Sequence, residues 1–210
     1  MNFETVKNQY GRYVLAIDNN KAFLIGKGHT KEGQFPFIDN FDLKTFKTTR
    51  LYQSTYTDKV ENIFSIEDLK KGDVLVQIQS KSDYPNYFFR NIKKKNQLTQ
   101  ITDFKNPFES IKNVHKEVIK YKRKDGVELS GTLYLPAGYD TKKKEKLPLL
   151  IWAYPEEYKD KNSARQSSQN PNDFTFPYYG SFVYWVNKGY AVLDDASFPI
   201  IGEGTTEPND

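Results

Sequence analysis

Residues 37–54 and 87–104 share one layout: a β-rich run, a lysine-containing turn, then a run in which polar and apolar residues alternate. Leu51 and Ile101 fall at equivalent places, which sets a repeat of 50 residues. Repeats of roughly 40–50 residues with several strands each mark propeller blades, because one four-stranded blade cannot bury both of its faces without a neighbour. Two copies also suit a β-sandwich with two similar hairpins, so the pattern alone leaves both architectures open. The rest of the first half agrees with short strands. Tyr13-Val14-Leu15-Ala16-Ile17 stops at Asp18-Asn19-Asn20, Ala22-Phe23-Leu24-Ile25 follows at hairpin spacing, and Gly72-Asp73 introduces a β-rich run at residues 74–78.

The character of the chain changes after Asn106-Pro107-Phe108-Glu109-Ser110, which reads as a linker. Residues 117–136 form two alternating runs around Asp125-Gly126, a strong signal for a type I′ hairpin. Residues 147–153, Leu-Pro-Leu-Leu-Ile-Trp-Ala, are continuously apolar, as in strands covered on both faces of a parallel sheet. Residues 181–188 read as a helix with Ser181 as N-cap and Gly189 at the left-handed position after it. Tyr190-Ala191-Val192-Leu193 is a second buried strand, so the order is strand, crossover helix, parallel strand. Residues 1–110 and 111–210 are therefore expected to be separate domains, all-β and then α/β.

Composition excludes several classes. Hydrophobic residues make up 37% of the chain and aromatic residues 15%, enough for a packed core. The net charge of +4 comes largely from Lys93-Lys94-Lys95 and Lys142-Lys143-Lys144, both at turn positions and without an aromatic platform, so no nucleic-acid partner is expected. The absence of cysteine removes disulfides, thiolate nucleophiles and Cys-based metal sites. No apolar run approaches the roughly 20 residues of a membrane helix, and the first residues lack the apolar centre of a signal peptide. Met1 as a true start would mean a cytoplasmic protein; a piece of a longer one leaves the compartment unknown, with a secreted or periplasmic parent equally open.

Four segments, residues 120–140, 147–158, 187–204 and 208–210, resemble in their order the prolyl oligopeptidase family, and most of all its glutamyl-endopeptidase-like branch. Residues 37–45 and 84–88 look like that family's propeller. The resemblance implies a β-propeller portion followed by the N-terminal portion of an α/β-hydrolase domain. It implies a peptidase that hydrolyses peptides by Ser-His-Asp acyl transfer without a cofactor, and its glutamyl-endopeptidase-like branch adds the expectation of cleavage after Glu. The family's serine sits in G-x-S-x-G on a tight strand-to-helix turn. This sequence contains no G-x-S-x-G, and Gly180-Ser181-Phe182 lacks its glycine spacing. The triad is therefore expected beyond Asp210, and the chain by itself is expected to be inactive and marginally stable.

The remaining chemistry is sparse. His29 and His115 are the two histidines, and each precedes the first buried strand of the α/β region, whereas the family's histidine follows its serine. Both read as loop histidines. Tyr154 ends the apolar run, and the resemblance implies that its hydroxyl supplements a backbone N–H in the oxyanion hole; a packing tyrosine is the plain alternative. Glu156 and Glu157 read as a solvated pair at the crevice rim, and Arg165 as a surface cation able to meet an acidic side chain. Asp194-Asp195 has no His or third carboxylate nearby in sequence, so no metal is expected. Gly202-Glu203-Gly204 is too short for a phosphate loop. Two other readings stay open: a propeller-type binding module or remnant without catalysis, and an esterase on the same hydrolase scaffold.

Overall fold

A computed structural model describes residues 2–30, 32–143, 145–164 and 169–202. The chain divides into two compact units, Met1–Lys105 and Asn106–Asp210. Both are β-rich.

The first unit contains β1 (Asn2–Phe3), β2 (Thr5–Lys7), β3 (Tyr13–Leu15), β4 (Ile17–Asp18), β5 (Lys21–Gly26), β6 (Phe37–Asp42), β7 (Thr48–Gln53), β8 (Val60–Asp68), β9 (Asp73–Gln79), β10 (Asn86–Asn91) and β11 (Gln97–Gln100). One antiparallel sheet has the order β1-β5-β6-β7, with β4 also on β5; a second has the order β8-β9-β10-β11; β2 and β3 form a small ribbon. The two stretches of the sequence repeat are the last hairpins of these two sheets, β6–β7 and β10–β11. Neither sheet closes on itself among the described residues. On β9 the alternate residues Val74, Val76 and Ile78 are buried, and they meet Ile38 and Tyr52 from the other sheet in one core. The β4–β5 turn has positive φ at both Asn19 and Asn20, the type I′ geometry whose twist matches its strands.

The second unit contains a 3-10 turn at Glu109–Ile111, β12 (His115–Lys122), β13 (Glu128–Leu135), β14 (Leu149–Tyr158), the one-turn helix α1 (Lys161–Ala164), a 3-10 helix at Phe182–Lys188 and β15 (Ala191–Ile201). The sheet order is β12-β13-β15-β14, with β14 and β15 parallel and the other pairs antiparallel.

The β12–β13 hairpin departs from the type I′ expectation. Lys122 pairs with Glu128, and only Gly126 has positive φ, at 85°. The Arg123 N–H bonds to Val127 O and the Gly126 N–H to Arg123 O, closing a three-residue loop. Asp125 is held in the ordinary φ region while its carboxylate accepts from both Nε and Nη2 of Arg123. That bidentate clamp favours the wider loop over the two-residue turn.

The segment read as an α-helix is 3-10. Ser181 Oγ accepts from Val183 N as predicted, and Gly189, at φ 83°, donates to Trp185 O and Val186 O. Three residues per turn place Val183 and Val186 on one face, and both are buried with Ile111, Tyr134 and Val192. The run Phe-Val-Tyr-Trp-Val lacks strong helix formers, so burial rather than propensity holds it. Each buried valine contributes about 1.5–3 kcal/mol.

Among the described residues the apolar run is also not covered on both faces. There β14 is the edge strand, Leu150 packs on the core, and Ile151 on the opposite face is 62% exposed.

Candidate active site

Tyr154 does not end its strand: β14 continues four residues further, to Tyr158, paired with β15 throughout. Alternation puts Leu150, Trp152, Tyr154, Glu156 and Tyr158 on one face. At the Leu150 end that face is covered by the 3-10 helix. At the Tyr154 end it opens into a cleft of about 290 Å³, lined also by Ser130 of β13 and by Asp195 and Ser197 of β15. Tyr154 is 69% exposed there.

A bulge in β15 builds this end of the face. Ile151 pairs with Leu193, but Ala153 pairs with Ala196, so Asp194 and Asp195 together stand opposite Trp152. Asp195 takes φ 49° to make the bulge. Before it, Val192 faces the core; after it, the parity flips and Ser197 and Pro199 face the cleft. Tyr154 is thereby set beside Ser197. Gln169 Nε2 donates to Asp195 O at 2.9 Å and to Asp195 Oδ2 at 2.8 Å. Ser197 Oγ accepts from Ser130 N at 3.1 Å. Arg123 Nη1 donates to Pro199 O at 2.7 Å, tying the β12–β13 hairpin to the far end of β15.

The electrostatics are acidic. Lys120 lines the cleft with Glu128, Glu156 and Asp195. The Tyr158 hydroxyl donates to Glu156, and that bond, then burial and the Glu156 charge, push its pKa up to about 12. The Asp194 pKa is raised from its ordinary value by burial first, with the Asp195 charge adding to it, against the lowering by the Asp195 backbone N–H and by the Lys116 charge. Glu156 is exposed at the cleft, as the sequence reading had it, and additionally accepts from the Tyr158 phenol.

The other sequence candidates lie elsewhere. His29 is in the first unit, in an isolated bridge with Gln34. His115 opens β12, its Nε2 3.5 Å from Glu117 Oε1. Neither lines the cleft. Arg165, Glu203 and Gly204 lie outside the described residues. Among the described residues no group of three or more His, Cys, Asp or Glu could hold a metal, and no helix is long and apolar enough to cross a membrane. Sequence reasoning weighed Asp195 only as a metal ligand and did not single out Gln169, Ser197 or Tyr158, all of which line the cleft. The signals were the two carboxylates interrupting an apolar strand, which suit a bulge, and the spacing Tyr154, Glu156, Tyr158, which places three polar tips on one face.

No family model matches the chain. It is 38% identical over 216 residues to a probable chloroplastic glutamyl endopeptidase of Oryza sativa subsp. japonica, an alignment covering 95% of this chain and 23% of the rice protein. It is 37% identical over 212 residues to the Arabidopsis thaliana protein of the same description, covering 97% of this chain and 21% of that protein. The chain thus spans less than a quarter of the length of the curated relatives it matches. Among solved structures, oligopeptidase B of Trypanosoma brucei matches with a TM-score of 0.52 at 14% identity, over 86% of this chain and 24% of that one. Oligopeptidase B of Leishmania major matches with a TM-score of 0.51 at 10% identity, over 88% and 24%.

The β-rich fold is that of a segment of the oligopeptidases. With the sequence kinship added, the chain belongs to the prolyl oligopeptidase family, beside its glutamyl-endopeptidase-like members.

Proposed function

We propose that this chain is part of a serine peptidase that hydrolyses peptides by Ser-His-Asp acyl transfer, and that Tyr154 serves its oxyanion hole. In this reading the first unit supplies blades of a β-propeller. Its two face-packed sheets with equivalent hairpins 50 residues apart support that. The second unit is the start of an α/β-hydrolase domain, which its parallel β14–β15 pair supports. Serine, aspartate and histidine come from sequence C-terminal to Asp210.

The observation that carries the site reading is the exposed Tyr154 phenol, in a cleft on the C-terminal half of a parallel strand. Strand ends in α/β sheets open onto the ligand crevice. A phenol is a neutral donor whose bond strengthens as charge develops on the carbonyl oxygen, and it costs no ion desolvation. Glutamyl preference is part of the proposal only through kinship. The cleft faces an incoming carboxylate with Glu128, Glu156 and Asp195 against Lys120, so the cationic pocket for a glutamyl side chain must come from other residues of the full protein.

The test is to isolate, with an antibody against this chain, the protein as the source cell makes it, and to treat it with a fluorophosphonate probe. Covalent labelling of a serine and cleavage of peptide substrates are expected. A protein that takes no label and cleaves no peptide would establish the binding or remnant reading instead.

A further inference from the structure

We propose that Asp195 and Gln169 are positioning residues for Tyr154, acting as a pin on the register of β14 and β15. This rests on the reading of Tyr154 as an oxyanion donor. Three observations carry it. Asp195 is a non-glycine residue at φ 49°, in the left-handed region that costs most side chains energy. It stands at the one place where the β14–β15 register shifts. Gln169, from the connection between the two strands, holds it twice, once by the backbone carbonyl and once by the carboxylate.

The consequence follows from the period of two in a strand. If the register at Ile151–Leu193 continued without a bulge, Tyr154 would pair with Ala196, and Ala196, Phe198 and Ile200 would turn to the cleft. With the bulge, Tyr154 pairs with Ser197, and Phe198 points out of the cleft side, 57% exposed. Ser197 is then anchored to β13 through the Ser130 N–H. The pin therefore decides whether the phenol stands among polar neighbours at a fixed position or beside a phenylalanine. Asp195 touches no reacting atom in this scheme; it acts through Tyr154.

The experiment uses the longest natural form of the protein that contains this chain, with kcat and KM measured on one peptide substrate. Asp195→Val resists the left-handed conformation, and a misplaced donor lowers kcat about 10–100-fold with KM within about twofold. Asp195→Gly keeps that conformation and the carbonyl acceptor, and stays within about threefold of wild type. Tyr154→Phe lowers kcat about 100-fold or more, and adding Asp195→Val to it gives no further loss, because both changes remove one function. Full activity of Asp195→Val alongside a slow Tyr154→Phe overturns the pin and leaves Tyr154 in its role. Full activity of Tyr154→Phe overturns both readings. An Asp195→Gly as slow as Asp195→Val also overturns the pin, since the left-handed backbone and the Gln169–carbonyl bond, which glycine keeps, would then not be what sets Tyr154. Should Asp195→Val fail to fold, Gln169→Ala is read in its place, with a loss of kcat expected and unchanged kcat overturning the pin.

Discussion

Arg90 donates from Nε to Glu61 Oε1 at 2.7 Å, with both side chains almost wholly shut off from solvent. Arg90 lies on β10 and Glu61 on β8 of one sheet, and Tyr52 reaches in from β7 of the other sheet to donate to Glu61 Oε2 at 2.6 Å. Arg90 also bonds to Asn96 O and Tyr56 Oη. Burial, the largest single effect, would lower the Arg90 pKa, but the Glu61 and Tyr52 charges and the hydrogen bonds to Tyr56 and Glu61 together raise it. Burial, then the Glu61 charge, raises that of Tyr52. The charges are thus fully paired inside the first unit.

Removing one partner strands the other. Arg90→Met is expected to destabilise the first unit by about 3–5 kcal/mol, whereas Glu61→Leu with Arg90→Met together cost far less, because no buried charge is left alone. Urea titration of the two variants checks this. Equal losses in both would show that packing, not charge pairing, dominates the site.

Asp194 sets a pH dependence. Its folded pKa is raised, so the folded state holds the proton more tightly than the unfolded chain. That contribution is fully present below the unfolded value of about 3.9 and is lost as pH rises through the raised folded value. Asp194→Asn mimics the protonated form and keeps it at all pH. The variant should therefore melt higher than wild type at neutral pH, and the two should converge near pH 3. A constant gap across that range would mean that another group sets it.

Tyr154→Phe should leave stability within about 0.5 kcal/mol of wild type, since the phenol is exposed and no bond from it to the fold is needed. With the loss of kcat expected above, that separates a functional tyrosine from a packing one. A drop in melting temperature with unchanged turnover would identify it as packing.

The edge strand makes a different prediction. Among the described residues β14 offers an unpaired edge with Leu149 and Ile151 exposed, and such edges pair with one another in solution. The purified chain should aggregate with rising concentration, and Ile151→Lys should suppress that while changing its melt by no more than about 1 kcal/mol. Light scattering of both proteins measures it. Aggregation that is the same with lysine would place the sticky surface elsewhere.

Much of the local structure was legible in the residues. Alternating runs located the strands of the first unit because a half-buried sheet demands period two, and the 50-residue spacing found both equivalent hairpins. Asn19-Asn20, Ser181 and Gly189 marked their turn and caps because φ preference and capping bonds are local properties. Kinship was legible too, since it resides in the order of residues. What the sequence left undecided depended on partners distant in the chain. An open apolar strand edge was expected from the sequence, but the exposure of Leu149 and Ile151 was not, because which face a neighbour covers depends on distant parts of the chain. Asp125-Gly126 read as a two-residue turn, but the clamp from Arg123 favours a three-residue loop. Tyr154 and a crevice beside it were picked out by type and resemblance; the residues that build that cleft were not, because the bulge at Asp195 decides which side chains of β15 face it. Glu61 and Arg90, 29 positions apart, could be read singly only as surface charges. Tertiary structure brings them together, because a buried charge is tolerable only when the fold delivers its counter-charge to the same place.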